Sequence, residues 1–248
     1  MSSSTYDILI VGAGPAGSAL AYALATRQSN KHHAPLRIAL IERSFSKPDR
    51  ISGEFIQPSG VAALKKLGLE SCLESIDTVP HVGLYLIREE QIICAPFPEG
   101  KGGPSIEHGA FVMALRDRVR QLPNVEMIEA TVTGLIEDQS THRVIGVHAS
   151  HDGGKPQTHL ADLVFVADGS QSKFRTQLLG QPSYDLSPQG YYVGFPVKNL
   201  PIPSGYLMYY AVKGARTAIL YEIPHQGYRA MFELRHPPPA DVKVCNPV

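Results

Sequence analysis

The chain has 248 residues, 43% hydrophobic and 19% charged, enough for one large or two small domains around a buried core. Its 23 basic residues balance 23 acidic ones, so it lacks the basic surface that grips a nucleic-acid backbone, and no run of like charge marks a tail or a polybasic membrane patch. Cys72, Cys94 and Cys245 are odd in number and far apart, without CxxC spacing; this argues against a disulfide framework or a zinc site and points to a reducing compartment. Met1 to Tyr6 leave no room for a charged stretch followed by an apolar one, which predicts a chain that is not secreted. No apolar run approaches the roughly 18 residues of a spanning helix.

Ile8–Val11 is apolar and largely β-branched, the pattern of a strand buried on both faces of a parallel sheet. Gly12-Ala13-Gly14-Pro15-Ala16-Gly17 follows and opens an alanine-rich helix to about Thr26, with Pro15 in the first turn, where its missing N–H costs nothing. A polar loop, Gln28 to Pro35, leads to a second strand, Leu36–Ile41, ending in Glu42-Arg43 and completing a βαβ unit. Pro58–Leu67 has helical spacing with Val61, Leu64 and Leu67 on one face and Gly68 as its cap. Val82–Ile87 and Gln91–Ala95 flank Arg88-Glu89-Glu90 as a hairpin. Phe111–Leu122 returns to helical spacing. Short strands follow at Val125–Ile128, Val132–Ile136, Val144–His148 and Leu163–Ala167, then β-like stretches at Tyr191–Val197, Tyr206–Val212, Ala218–Ile223 and Arg229–Leu234. The aromatic residues of 184–232 fall at strand spacing and read as sheet core. This alternation predicts an α/β protein in which a Rossmann-like dinucleotide domain (1–80 and 108–180) is interleaved with a β-rich domain (81–107 and 181–236), followed by an irregular tail at 237–248.

GxGxxG alone fits any tight turn, but here it follows a buried strand, opens a helix and precedes a strand ending in an acid. Gly12 permits the turn, Gly14 lets a pyrophosphate approach the backbone, and Gly17 lets helix and strand pack. Glu42 is placed to accept adenosine ribose hydroxyls and to repel a 2′-phosphate, favouring FAD or NAD over NADP at this position. Asp168-Gly169 ends an apolar strand where a doubly wound sheet takes its ligands. The ten histidines have no metal-ligand spacing, and no nucleophile motif such as GxSxG appears.

The run Asp7 to Ala19, Glu42-Arg43, Pro48-Asp49-Arg50-Ile51-Ser52-Gly53-Glu54-Phe55-Ile56-Gln57-Pro58 and Val166 to Arg175 together resemble the squalene epoxidase (squalene monooxygenase) family, over about residues 6–234. The resemblance implies an FAD-dependent monooxygenase that transfers one oxygen atom from O2 to an apolar terpenoid alkene or secondary metabolite, with NADPH as electron source through a separate reductase. It implies FAD contacts from Gly12, Ala13, Gly14, Gly17, Glu42, Arg43, Arg50, Phe55, Val132, Asp168 and Gly169, and assigns no catalytic residue and no metal. It also implies the cytoplasm or the cytosolic face of the endoplasmic reticulum, with peripheral membrane contact admitted. Three departures stand out. Ala110 in His108-Gly109-Ala110-Phe111 replaces a family arginine that touches FAD. Leu84 replaces a family pocket tyrosine, with Tyr85 one place later and on the opposite face of the strand. The family's downstream GD segment and C-terminal helices have no counterpart, as expected of a C-terminally shortened member. A non-catalytic FAD-binding remnant and a flavin-dependent polyprenyl reductase are the competing readings.

Overall fold

A computed structural model describes residues 5–27, 34–88, 91–151, 153–180, 190–200, 203–212 and 216–236. The polar loop expected from 28, the 89–90 turn and the tail from 237 lie outside the described residues, apart from Ala34 and Pro35 at the end of that loop. In chain order the elements are β1 (Thr5–Val11), α1 (Pro15–Thr26), β2 (Ile38–Glu42), α2 (Pro58–Leu67), α3 (Ser71–Glu74), β3 (Thr78–Pro80), β4 (Gly83–Arg88), β5 (Gln91–Pro96), β6 (Pro104–Ile106), α4 (His108–Arg120), β7 (Val125–Glu129), β8 (Thr131–Glu137), β9 (Val144–Ser150), β10 (Gln157–Val166), α5 (Arg175–Leu179), β11 (Tyr191–Val197), β12 (Tyr206–Val212), β13 (Arg216–Ile223) and β14 (Gly227–Leu234). They group into two compact units, Met1–Lys47 with Val112–Tyr184, and Pro48–Phe111 with Asp185–Val248.

The first unit is built on a six-stranded sheet ordered β7-β2-β1-β10-β9-β8. β1 pairs in parallel with β2 on one side and with β10 on the other, so the strand order reverses direction at β1, the position where open α/β sheets take ligands outside their carboxyl ends. Leu9, Val11, Ala39 and Ile41 face one core cluster with Ile128, Val132, Val147 and Phe174. Their alternates Ile8, Ile10, Ile38 and Leu40 are buried as well; burial on both faces explains why these strands read as continuous apolar runs. β10 begins six residues earlier than its apolar run, because Gln157–Leu160 pairs antiparallel with β9 before the chain pairs with β1.

The second unit carries a six-stranded sheet ordered β11-β14-β13-β12-β4-β5 and a small β3-β6 pair. The β4–β5 hairpin joins the sheet through a parallel pairing of β4 with β12, which sequence periodicity does not reveal. Leu207, Tyr221 and Ile223 form its core with Phe55, Leu84 and Phe97 against them. The aromatic residues expected in the sheet core divide: Tyr221 is buried, whereas Phe195 and Phe232 stack on each other with 43% and 39% of their surface exposed.

The division falls differently from the sequence expectation, since residues 48–80 and 108–111 group with the second unit. Their ties are the reason. β3 pairs with β6, Phe55 bridges Ser105, and the Glu54 carboxylate meets β14. No helix among the described residues is long and apolar enough to cross a membrane.

Candidate dinucleotide site

The carboxyl ends of β1, β2 and β10 are knitted together at the reversal point. Gly12 donates its N–H to the Ile41 carbonyl at 2.7 Å, and Ala167 donates to the Val11 carbonyl at 2.8 Å. Gly12 adopts φ +100°, and a Cβ there would lie 2.6 Å from the Ala167 oxygen, so only glycine serves. At Gly17 a Cβ would come within 1.8 Å of the Gly12 oxygen, which makes this glycine a packing requirement of α1 on β1.

Gly14 is different. Its φ is −74°, and a Cβ there would meet nothing within 4 Å. The protein's own packing does not require glycine at this position. Gly14 is also the N-cap of α1, and no side chain caps that end, which leaves the positive end of the helix facing open space.

Glu42 is 16% exposed in its side chain. One carboxylate oxygen accepts the Ala13 N–H at 2.8 Å, and the other has only a marginal contact, 3.5 Å, with the Ser44 N–H. Ala13 is fully buried, its N–H is taken by Glu42, and its carbonyl accepts bonds from Arg116 and Ser18. It therefore shapes the loop and has neither main-chain group to offer a ligand. Asp168 is half-buried at the end of β10, and Gly169 follows with φ +88° and nothing within 4 Å of a Cβ. Arg175 stitches this loop by donating to the Gly169 and Ser170 carbonyls.

The remaining expected residues are more scattered. Arg43 is exposed. The Val132 side chain belongs to the core, so any ligand contact there would use its main chain. Arg50 and Phe55 lie in the second unit, where Arg50 is exposed and donates to Ser52 at 2.8 Å, while Phe55 is half-buried with its ring edge-on to His81. In that unit Ala110 occupies the first turn of α4 and offers no polar group. Leu84 packs on the core, and the Tyr85 ring lies 4.7 Å from that of Tyr206. His108, two residues before Ala110, contacts the Gly53 carbonyl at 3.3 Å, and burial holds its imidazole below the ordinary range although that carbonyl pulls the other way.

Sequence reasoning missed Arg116. Only 4% of its side chain is exposed; it donates to the Ala13 carbonyl at 2.9 Å and to Ser46 at 3.0 Å, lies 3.8 Å from the Glu42 carboxylate, and covers the Phe45 ring. One guanidinium thus ties the glycine-rich loop to the end of β2. The available signal was an arginine on the otherwise apolar face of α4, among Val112, Leu115 and Val119.

A glycine-rich turn at the reversal point, an uncapped helix end and an acid at the end of the second strand define a dinucleotide fold. Solved structures of the same architecture include PqsL, a probable FAD-dependent monooxygenase from Pseudomonas aeruginosa (TM-score 0.75, 18% identity, covering 94% of this chain and 61% of that one). The flavin-dependent brominase Bmp2 is similar (TM-score 0.72, 17% identity, 93% and 56%). The fold is that of these flavoproteins. In sequence the chain is a homologue of the squalene epoxidases: it is 37% identical to squalene epoxidase 5 of Arabidopsis thaliana over 235 residues, covering 92% of this chain and 43% of the relative. It is 33% identical to squalene epoxidase erg1 of Aspergillus fumigatus over 247 residues, covering 96% and 49%. The chain therefore spans less than half the length of these relatives. No family model matches it.

Proposed function

We propose that this chain carries the FAD-binding part of a squalene epoxidase-type monooxygenase, acting on an apolar alkene such as squalene or a related terpenoid. The open space over Gly14 carries this reading, since the fold leaves uncovered the one glycine of the motif that its own packing does not need. Bound FAD would supply the redox chemistry that activates O2 and transfers one oxygen atom to the alkene. The chain's residues hold and orient it. The N-terminus of α1 would receive the pyrophosphate, the Glu42 oxygen that meets the Ser44 N–H would accept a ribose hydroxyl, and Arg116 keeps the loop and Glu42 in register. Asp168, Gly169, Arg50 and Phe55 are further FAD contacts in this reading. In this reading electrons come from NADPH through a separate reductase, and the chain acts in the cytoplasm or at the cytosolic face of the endoplasmic reticulum.

The test is a fluorescence titration of the purified chain with FAD, followed by incubation of the loaded protein with NADPH, a reductase and squalene. Saturable binding that weakens in Glu42→Gln, together with an oxygenated product, is expected. A saturated product would point instead to a polyprenyl reductase, and absence of FAD binding by folded protein would refute the reading.

A further inference from the structure

The second unit buries an ion pair that the dinucleotide site does not use. Glu54 is 2% exposed, and Arg229 from β14 donates to both of its oxygens, from Nε and Nη2, at 2.9 Å each. The Tyr221 hydroxyl from β13 adds a third bond at 3.0 Å, and both Arg229 and Tyr221 are 6% exposed. Replacing such a buried pair by apolar residues of similar volume is often neutral or stabilising, so stability alone gives no reason for its presence. A two-pronged guanidinium–carboxylate contact does supply direction, because it admits one orientation of the carboxylate.

That direction falls on the stretch containing Arg50 and Phe55. Gly53, immediately before Glu54, turns the chain at φ +78°. On either side of Phe55, the Glu54 carbonyl accepts the Ile106 N–H at 2.8 Å and the Ile56 N–H reaches the Pro104 carbonyl at 2.9 Å. The Phe55 ring stands edge-on to His81 with centroids 5.4 Å apart, and Ile51 lies so close to Gly194 that a Cβ there would come within 2.6 Å of its Cδ1. The stretch is held along its inner side, while Arg50 stays exposed.

We propose that Glu54, Arg229 and Tyr221 are positioning residues that fix the conformation of the Arg50–Phe55 stretch on the second sheet and so tune the FAD contacts proposed for Arg50 and Phe55, an inference that rests on the FAD reading above. The decisive variant is the double replacement Glu54→Met with Arg229→Met, compared with wild type by thermal midpoint, amide exchange over residues 50–56, FAD affinity and the absorption spectrum of bound flavin. A midpoint within a few degrees of wild type is expected, together with exchange faster by about tenfold, FAD affinity weaker by about tenfold and a shifted flavin spectrum. A variant that melts like wild type and keeps its exchange, affinity and spectrum would overturn the proposal, since the pair would then be filler. Should the double variant fail to fold, Tyr221→Phe removes the hydroxyl that meets Glu54 and Met231 Sδ and is judged by the same readouts. A wild-type chain that takes up no FAD would refute the flavin reading, while the exchange measurement on apo protein would still decide whether the three residues fix the stretch.

Discussion

Gly14 and Gly17 lie three residues apart in one motif and do different work. Gly17→Ala forces a Cβ to within 1.8 Å of a backbone oxygen, so it should destabilise the first unit by more than about 3 kcal/mol or prevent folding. Gly14→Ala meets no atom and should leave stability within about 1 kcal/mol, yet weaken FAD binding by at least about tenfold, or 1.4 kcal/mol. Chemical denaturation and FAD titration of both variants check this pair. Equal loss of stability would mean that packing, and not a ligand, requires glycine at Gly14. Arg116→Met leaves two carbonyls without their guanidinium partner and removes the positive charge 3.8 Å from the Glu42 carboxylate. A cost of about 2–3 kcal/mol is expected, with FAD affinity falling alongside, and a denaturation curve matching wild type would contradict the role given to it. The glycines and Glu42 could be read from sequence because their chemistry is local, a turn, a helix start and a strand end. Arg116 and the Glu54 cluster could not, because each works across 70 or more residues of chain.

Elements were legible where burial makes their pattern continuous or strictly periodic. β2 and α2 appear within two residues of their expected bounds, β1 starts three residues earlier than its apolar run, at Thr5, and Gly68 caps α2 at φ +71°. α4 begins three residues before its apolar spacing, at His108. The β3–β6 pair and α3 escaped notice, since three or four residues carry no period. Two buried histidines give this level of structure a pH signature. His81 is paired to Ser105 at 2.5 Å, and burial lowers its pKa from 6.5 against the opposing pull of Glu222 and the Gly205 carbonyl; His108 is lowered by burial too. Between the folded values and about 6.5 the unfolded chain binds more protons than the folded one, so stability is full above that range and falls as pH drops through it. The thermal midpoint should therefore decline from pH 7.5 to 5, and less steeply in His81→Gln. An unchanged slope in that variant would remove His81 from the explanation.

For the whole molecule, strand order carries the functional argument. The apolar run at 163–167 was recognised as a strand, but only the pairing of β10 beside β1 shows that Asp168 and Gly12 end at the same reversal point. The grouping of 48–80 with the second unit was not legible, because the Arg229–Glu54 contact that ties part of it to the second sheet spans 175 residues of chain. Homology to the squalene epoxidases over 92% of the chain and 43% of the relative makes flavin retention by this chain the central question. The most direct measurement is the visible absorption spectrum of purified, folded protein after incubation with FAD and removal of unbound cofactor. The account predicts flavin bands at close to one FAD per chain, lost in Gly14→Ala. Protein that is folded yet colourless would contradict it.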